Sequence, residues 1–192
     1  FHIQKPDTIY TSINSIVPTI PIVHYFCPQI KYTMKKLTLN DQHIAMGGKM
    51  VPFTGFDMPV QFEGVNAEHE TVRNAVGVFD VSHMGEFLIS GPTALDLIQK
   101  ISTNDATTLT VGRAQYSCMP NGKGGIVDDL IIYMIKEEQY LLVVNASNID
   151  KDWDWISSHN SMKAEMKNLS DDYSLLAIQG PMGNGKTTLV KE

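Results

Sequence analysis

The most informative stretch of the sequence is Gly124-Gly125-Ile126-Val127-Asp128-Asp129-Leu130-Ile131-Ile132-Tyr133. The two glycines indicate a turn, and the apolar run that follows predicts a β-strand. Aspartate is uncommon in strands and in cores, so two adjacent carboxylates indicate a site, a turn or a wet edge. Because successive residues of a strand face opposite sides, we expect Asp129 to share a face with Tyr133, and Asp128 to face the other way.

The carboxylate pair has a structural and a functional interpretation. In the first, one aspartate caps the turn after Gly124-Gly125. In the second, one carboxylate faces a cleft and orients an amine through a charge-assisted hydrogen bond, while its neighbour caps the turn or meets solvent. Because the two side chains face opposite sides of the strand, they cannot act together on one substrate, as the paired carboxylates of glycosidases or aspartic proteases do. Taken alone, the residues favour the turn cap.

Composition limits the class of protein. The chain has 192 residues, of which 43% are hydrophobic and 19% charged, as in ordinary globular proteins. A net charge of −6 argues against a non-specific nucleic-acid binder. No run of apolar residues is long enough to predict a membrane span. Cys27 and Cys118 match no metal-binding spacing, which indicates a reducing compartment or indifference to redox state.

The sequence divides into three parts. Residues 1–33 are proline-rich, carry few charges and begin with Phe1, and we expect a disordered or non-native extension that precedes a natural start at Met34. Residues 34–181 predict one α+β domain, a mainly antiparallel sheet with packed helices. Residues 182–192 form a short tail.

The 34–181 region shows helix and strand patterns in alternation. Helices are predicted at 37–46, 67–75, 93–101 and 148–158. Strands are predicted at 49–56, 78–89, 115–119, 126–135, 140–144, 163–169 and 174–179, with an antiparallel meander over 115–144. We also expect a turn at Asp57-Met58-Pro59, an N-cap at Asn66, a helix end at Gly77 and a new helix after Gly180-Pro181.

Three further side chains are candidates for a binding site. Asn145 follows a predicted strand, and its amide offers both a donor and an acceptor, although a helix cap or turn is the more ordinary role. Tyr116 and Tyr133 could stack on a flat heterocycle, although strand tyrosines are more often half-buried core residues.

Two catalytic motifs are incomplete. Ser82-His83 suggests a hydrolase, but adjacent strand residues point oppositely and no G-x-S-x-G elbow is present. His69 and His83 lack a third ligand at a metal-binding spacing, so no metal site is predicted.

The end of the chain contains a phosphate-binding pattern. Residues 180–187 fit G-x-x-x-x-G-K-[ST] and follow a predicted strand. A phosphate-binding loop needs the rest of a parallel sheet and a downstream carboxylate for Mg²⁺, and few residues follow Thr187. We therefore expect no nucleotide binding here.

Several short motifs follow one another between Met34 and Pro181. They are G-K-M-V-P-F (48–53), D-M-P-V (57–60), E-H-E-T-V-R (68–73), G-V-F-D-V-S-H-M-G-E (77–86), T-N-D (103–105), Y-S (116–117), G-G-I-V-D-D-L (124–130) and V-V-N-A (143–146). The F-D-V-S-H-M and G-G-x-x-D-D-L pieces are specific in combination. In this order and spacing the sequence resembles the aminomethyltransferase of the glycine cleavage system, the T protein.

The resemblance implies a fold, an activity and partners. The fold is the N-terminal portion of a three-domain, clover-like folate-binding arrangement. The activity is transfer of a one-carbon unit to tetrahydrofolate from an aminomethyl group on the lipoyl arm of H protein, with release of ammonia. Tetrahydrofolate is then a co-substrate, the lipoyl group belongs to the partner, and the expected location is the cytoplasm, or the mitochondrial matrix in a eukaryote.

The resemblance also assigns roles to single residues. It implies that Asp129 is the catalytic carboxylate near the folate nitrogens. It places Tyr116, Tyr133, Asn145 and, less directly, Met84 around the folate, and it implies no metal.

The resemblance is not complete. Family members are longer, and this sequence leaves their pattern after Gly180-Pro181, so we expect weak or absent activity from the chain by itself. One alternative is the folate domain of a dimethylglycine- or sarcosine-oxidising enzyme, which the missing flavin-binding glycine motif disfavours. Another is a non-enzymatic remnant.

Overall fold

The structure is a computed structural model that describes residues 33–181 and, as a strand, residues 187–191. The predicted extension at residues 1–33 lies outside the described residues except for Thr33, and so does most of the predicted tail.

The described residues form an α+β fold, as predicted. The helices are α1 (Asn40–Ala45), α2 (Val65–Asn74), α3 (Ala94–Ile101) and α4 (Ile149–His159), with 3₁₀ turns at Ala106–Thr108 and Ala146–Asn148. The strands are β1 (Lys35–Lys36), β2 (Met50–Phe53), β3 (Phe56–Pro59), β4 (Gly77–Asp80), β5 (Gly85–Ser90), β6 (Ala114–Pro120), β7 (Ile126–Lys136), β8 (Gln139–Val144), β9 (Glu165–Asn168), β10 (Tyr173–Gln179) and β11 (Thr187–Lys191). They build sheets of order β6-β7-β8-β5-β9, β11-β10-β4 and β1-β3-β2.

The five-stranded sheet is antiparallel throughout and contains the predicted meander β6–β7–β8. Strand β7 alternates as the sequence predicts. Its even-numbered residues from Asp128 to Met134 are buried, and its odd-numbered residues from Asp129 to Tyr133 are only half-buried. Asp128 and Asp129 therefore face opposite sides of the sheet.

The buried face of this sheet packs against α3 and α4. Helix α3 contributes an apolar stripe, and α4 adds Ile156, with the ring of Trp153 edge-on to Phe87 at a centroid distance of 5.1 Å. The fully buried members of the core from these elements include Phe87, Ile89, Leu97, Ile98, Ile132, Leu142 and Ile156. Packing in this core places the first residues of α4 beside the start of β7.

Gly85 allows α4 to approach the sheet closely. A Cβ atom at this position would lie 2.6 Å from Cγ1 of Ile149 and 2.8 Å from Cγ2 of Val144. Both distances are too short for a side chain, so the first residue of α4 packs directly on the backbone of β5.

The predicted strand at 78–89 is wrong as a single element. It is two strands in different sheets, β4 and β5, joined by a turn in which the Met84 N–H donates to the oxygen of Val81. The side chain of Asp80 accepts from the Ser82 N–H at 3.0 Å and stabilises that turn. Gly77, predicted to end a helix, is instead the first residue of β4.

The prediction for residues 49–59 is also wrong in detail. The chain forms the hairpin β2–β3, with its turn at Thr54-Gly55, where both residues have positive φ. Asp57-Met58-Pro59, predicted as a turn, lies in β3. Glycine at position 55 explains the difference, because it accepts the left-handed backbone that the turn needs.

Asn66 is not the N-cap of α2. The helix begins at Val65, two residues earlier than predicted, and its N-terminal end is capped from within by Glu68. The Glu68 carboxylate accepts from the N–H groups of Phe62 and Gly64, at 2.6 and 3.0 Å. These bonds to main-chain donors lower the pKa of Glu68.

The helix predicted after Gly180-Pro181 is replaced by a strand. Residues Thr187–Lys191 form β11, which pairs antiparallel with β10. The β-branched residues Thr187, Thr188 and Val190 favour this outcome. Residues 182–186 of the phosphate-binding pattern lie outside the described residues.

Candidate functional site

The site is organised around Asp129, on the half-buried face of β7. Tyr116 lies on the neighbouring strand β6, and its hydroxyl donates to Oδ2 of Asp129 at 2.6 Å. Because Tyr116 pairs with Ile131, this bond runs diagonally across the two strands. The Tyr116 side chain is 63% exposed, so its ring remains available to a ligand.

Asn145 approaches Asp129 from the other side. The pairing of Leu130 with Val144 places Asn145 opposite Asp129, just beyond the end of β8. Its Nδ2 donates to Oδ1 of Asp129 and to Oδ1 of Asp128, each at 3.0 Å. The side chain of Asn145 makes no capping hydrogen bond to the 3₁₀ turn that follows it. Its amide nitrogen binds the two carboxylates instead.

Asp128 does not cap a turn, and it does not meet solvent. It is buried, and its Oδ2 accepts from Nδ2 of Asn148 at 2.9 Å. The turn before β7 is capped by Asn121, whose side-chain oxygen accepts from the N–H groups of Lys123 and Gly125. The interpretation of Asp128 as a turn cap is therefore wrong, because another residue satisfies the turn.

Hydrogen bonds affect the pKa of two of these groups. The bond to Asp129 is the main cause that raises the pKa of the Tyr116 phenol, which is protonated near neutral pH. Burial acts to raise the pKa of Asp128, but hydrogen bonds from Asp152, Asn148 and Asn145 outweigh it and the pKa is lowered. Asp128 is thus a carboxylate near neutral pH.

The other two predicted site residues are Tyr133 and Met84. Tyr133 is half-buried on the same face of β7 as Asp129, four residues along the strand. Met84 lies in the turn between β4 and β5 and lines a shallow cleft with Phe56, Ile149 and Ser170. The lining of that cleft includes none of the other four predicted residues.

Ser82 and His83 have structural roles in the turn between β4 and β5, and do not lie on a strand as predicted. The Ser82 hydroxyl accepts from the N–H of Leu175 at 3.0 Å. His83 is buried edge-on to the rings of Phe53 and Phe56. Burial lowers the pKa of His83, and the charge of Asp80 opposes that shift.

His69 lies exposed on α2. Over residues 33–181, no group of three or more His, Cys, Asp or Glu side chains is arranged to hold a metal ion.

Sequence reasoning missed two residues of the site, Asn148 and Asp152. Asp152 is fully buried on α4 beside Asp128. A signal was present, because Asp152 comes three residues after Ile149 and four before Ile156 and so lies on the apolar face of the helix. A carboxylate in that position indicates a buried partner.

The arrangement can bind a flat ligand that carries N–H groups. The Tyr116 hydroxyl and the Asn145 amide each occupy one lone pair of the Asp129 carboxylate, and its other lone pairs stay free to accept. The exposed ring of Tyr116 offers a stacking surface beside that acceptor. A flat heterocycle with ring N–H groups has both features.

None of the helices within the described ranges has the length and apolar character needed to span a membrane.

Comparisons with known proteins identify the family of the chain. The family model described as "GCVT N-terminal domain" matches residues 39–185. An aminomethyltransferase of Flavobacterium psychrophilum is 67% identical over 148 residues, which are 77% of this chain and 41% of that protein. An aminomethyltransferase of Phocaeicola vulgatus is 56% identical over the same shares of both chains.

A solved structure shows the same fold. The glycine cleavage system aminomethyltransferase T from Bartonella henselae superposes with a TM-score of 0.72 at 34% sequence identity. The match covers 78% of this chain and 41% of that one. The chain thus spans about two-fifths of the length of the relatives it matches. Since the family model covers most of the sequence, this chain belongs to the family of the GCVT N-terminal domain.

Proposed function

We propose that this chain is the folate-binding N-terminal part of an aminomethyltransferase of the glycine cleavage system. The reaction transfers a one-carbon unit to tetrahydrofolate from an aminomethyl group on the lipoyl arm of H protein, and releases ammonia. Family membership and the relatives' names support the reaction class. The observation that carries the site is the Asp129 carboxylate held between Tyr116 and Asn145.

Asp129 acts as a fixed acceptor. When bound, tetrahydrofolate supplies the nitrogens that take up the one-carbon unit. Asp129 accepts a hydrogen bond from such an N–H group and stabilises positive charge that develops on it. Tyr116 and Asn145 hold the carboxylate oxygens in place, so no reorganisation is needed when the ligand arrives.

The remaining residues complete the ligand surface. The exposed ring of Tyr116 stacks on the pterin, and Tyr133 extends the same face of the sheet. Met84 contributes from the turn that leads into β5.

The whole reaction belongs to the longer protein. The relatives are more than twice as long as the region they share with this chain, and we expect the chain alone to bind folate but to turn over weakly or not at all. The expected location is the cytoplasm, or the mitochondrial matrix if the source is eukaryotic.

Folate titration tests the site. Tetrahydrofolate is titrated into the 192-residue chain and into the Asp129→Asn variant. This substitution keeps the shape of the side chain and part of its hydrogen bonding with Asn145, but it removes the negative charge. We expect binding to weaken by about tenfold or more. Asp154→Asn, an exposed residue of α4, is the matched control and should bind as the unaltered chain does. Equal binding by the Asp129 and Asp154 variants would contradict the proposal.

A second experiment tests the reaction. In a full-length relative such as the Flavobacterium psychrophilum protein, the residue equivalent to Asp129 is changed to Ala and aminomethyl-loaded H protein is supplied. Turnover should be abolished, and the change at the position of Asp128 should reduce it less. Folate binding without turnover of aminomethyl-loaded H protein would instead favour a related one-carbon enzyme.

A further inference from the structure

A third carboxyl group lies beneath the site. Asp152 is fully buried on α4, and its carboxyl group is within hydrogen-bonding reach of the Asp128 carboxylate. Within the described part of the chain, neither oxygen of Asp152 accepts from an N–H or O–H donor. Nζ of Lys151 is 3.9 Å from Oδ1, and its hydrogen bond goes to the main-chain oxygen of Val127 at 2.7 Å.

Two buried carboxyl groups in contact are unfavourable when both are charged, because like charges repel and neither group has a proton to donate. A single proton between them turns a repulsive contact into a hydrogen bond. Burial, followed by the hydrogen bond and the charge of Asp128, raises the pKa of Asp152 to about 8, against the opposing charge of Lys151. The pKa of Asp128 is lowered, so the proton resides on Asp152.

The consequence for the site passes through Asn145. With Asp152 protonated, Asp128 accepts from three side chains: Asp152, Asn148 and Asn145. The same Nδ2 of Asn145 that reaches Asp128 also reaches Asp129. A shift of the Asp128 carboxylate therefore changes the donor that orients Asp129.

We propose that Asp152 is a positioning residue for the Asp129 site, which shares one proton with Asp128 and so fixes the Asn145 amide against both aspartates. Loss of the proton in mildly alkaline solution puts two negative charges in contact and loosens this arrangement. The charged groups that face Asp152 are Asp128 and Asp129 from β7 and Lys151 from its own helix. The inference rests on the proposed function only for the identity of the ligand.

The first test observes the proton directly. The 192-residue chain is labelled with ¹³C at aspartate carboxyl carbons and ¹⁵N at asparagine amides, and NMR spectra are recorded from about pH 4 to about pH 9. The carboxyl signal of Asp152 should titrate near the upper end of that range, and the side-chain amide signals of Asn145 should follow the same midpoint. In Asp152→Asn, whose amide also donates to Asp128, the Asn145 signals should no longer respond there.

The second test measures the ligand. The dissociation constant for tetrahydrofolate should rise several-fold between about pH 7 and about pH 9 in the unaltered chain. Asp152→Asn should keep the neutral-pH affinity within about twofold and lose the alkaline weakening, because it mimics the protonated acid permanently. Asp152→Ala should weaken binding about tenfold at neutral pH. Asp154→Asn should keep the pH profile of the unaltered chain.

Two results would overturn the inference. One is an Asp152 carboxyl signal that titrates in the ordinary range of an aspartate, and the other is an Asn145 amide that does not follow it. Both are read on the unaltered chain, so a variant that fails to fold does not remove the test. If the NMR result is as expected but no form binds tetrahydrofolate, the proposed function fails while the role of Asp152 in holding Asn145 stands.

Discussion

The hydroxyl of Tyr116 donates a 2.6 Å hydrogen bond to Oδ2 of Asp129, diagonally across strands β6 and β7. The bond joins an exposed aromatic ring to a half-buried acceptor. A ligand that stacks on the ring therefore lies next to the carboxylate. It also depends on strand register, because a shift of one residue would turn Asp129 to the opposite face.

Removing this hydroxyl should weaken ligand binding without unfolding the protein. In Tyr116→Phe the ring remains, but Asp129 loses one of its two orienting donors. We expect tetrahydrofolate to bind about threefold to tenfold more weakly, as for loss of one hydrogen bond to a charged group, with little change in unfolding midpoint. Titration calorimetry and urea unfolding measure the two effects. Tyr173→Phe, a half-buried tyrosine of β10, is the control, and the prediction is wrong if both variants bind alike.

The two aspartates should differ in what they stabilise. Asp128→Ala leaves the amides of Asn145 and Asn148 without a buried acceptor and Asp152 without its partner, and should cost on the order of 2 kcal/mol in the free energy of unfolding. Asp129→Ala lies on the half-buried face and should cost less than about 1 kcal/mol. Urea unfolding at neutral pH compares them. A larger loss for Asp129→Ala would show that the buried network contributes little.

Glu86 predicts a pH dependence of stability. It is fully buried on β5, neither of its carboxyl oxygens has a hydrogen-bond partner among residues 33–181, and burial raises its pKa from 4.5 to about 8. Between these two pH values the folded state holds one more proton than the unfolded state. The stabilising contribution is therefore complete below the unfolded pKa and is lost as pH rises to about 8.

Glu86→Gln should remove this loss. We expect the variant to match the unaltered chain near pH 5 and to exceed its stability by on the order of 4 kcal/mol near pH 9. Free energies of unfolding in urea at three pH values give the slope. Glu137→Gln, at an exposed position of the β7–β8 turn, should leave the slope unchanged. If the stability of Glu86→Gln falls with pH as steeply as that of the unaltered chain, Glu86 is ionised in the folded protein.

A methyl group at Gly85 should disturb the start of α4. Gly85→Ala forces its Cβ against Ile149 and Val144, and overpacking of this kind costs about 1–3 kcal/mol. Because Asn148 and Asp152 lie at the same end of the helix, the amide signals of Asn145 should shift as well. Gly122→Ala is the control, which measures how sensitive the protein is to an alanine in a surface turn. Unchanged Asn145 signals in Gly85→Ala would show that the helix start and the site are independent.

The sequence was sufficient to predict those features of the structure that depend on residues close together in the chain. The alternation of β7 separated Asp128 from Asp129 because a strand has a fixed period of two residues. The meander followed from turn residues and apolar runs, and once its register is set, Tyr116 comes within reach of Asp129. The apolar stripe of α3 likewise predicted its buried face.

Contacts distant in sequence were beyond that reasoning. The break between β4 and β5 depends on Asp80 and on Leu175, whose N–H bonds to Ser82 from 93 residues away. The role of Asp128 depends on α4, which brings Asn148 and Asp152 to it only after the helix has packed. No local pattern around Asp128 encodes those partners, and for that reason a turn cap was the better local explanation.

The division of β7 into a buried and a half-buried row affects how the protein can change by mutation. Substitutions at even positions alter the packed interior and are limited by stability, whereas those at odd positions alter the half-buried surface that carries the candidate site, at small cost to folding. Selection can therefore explore new ligand preferences along one row while the other preserves the architecture. Asn145 is the exception, because its single amide nitrogen bonds to both rows and couples the two kinds of change.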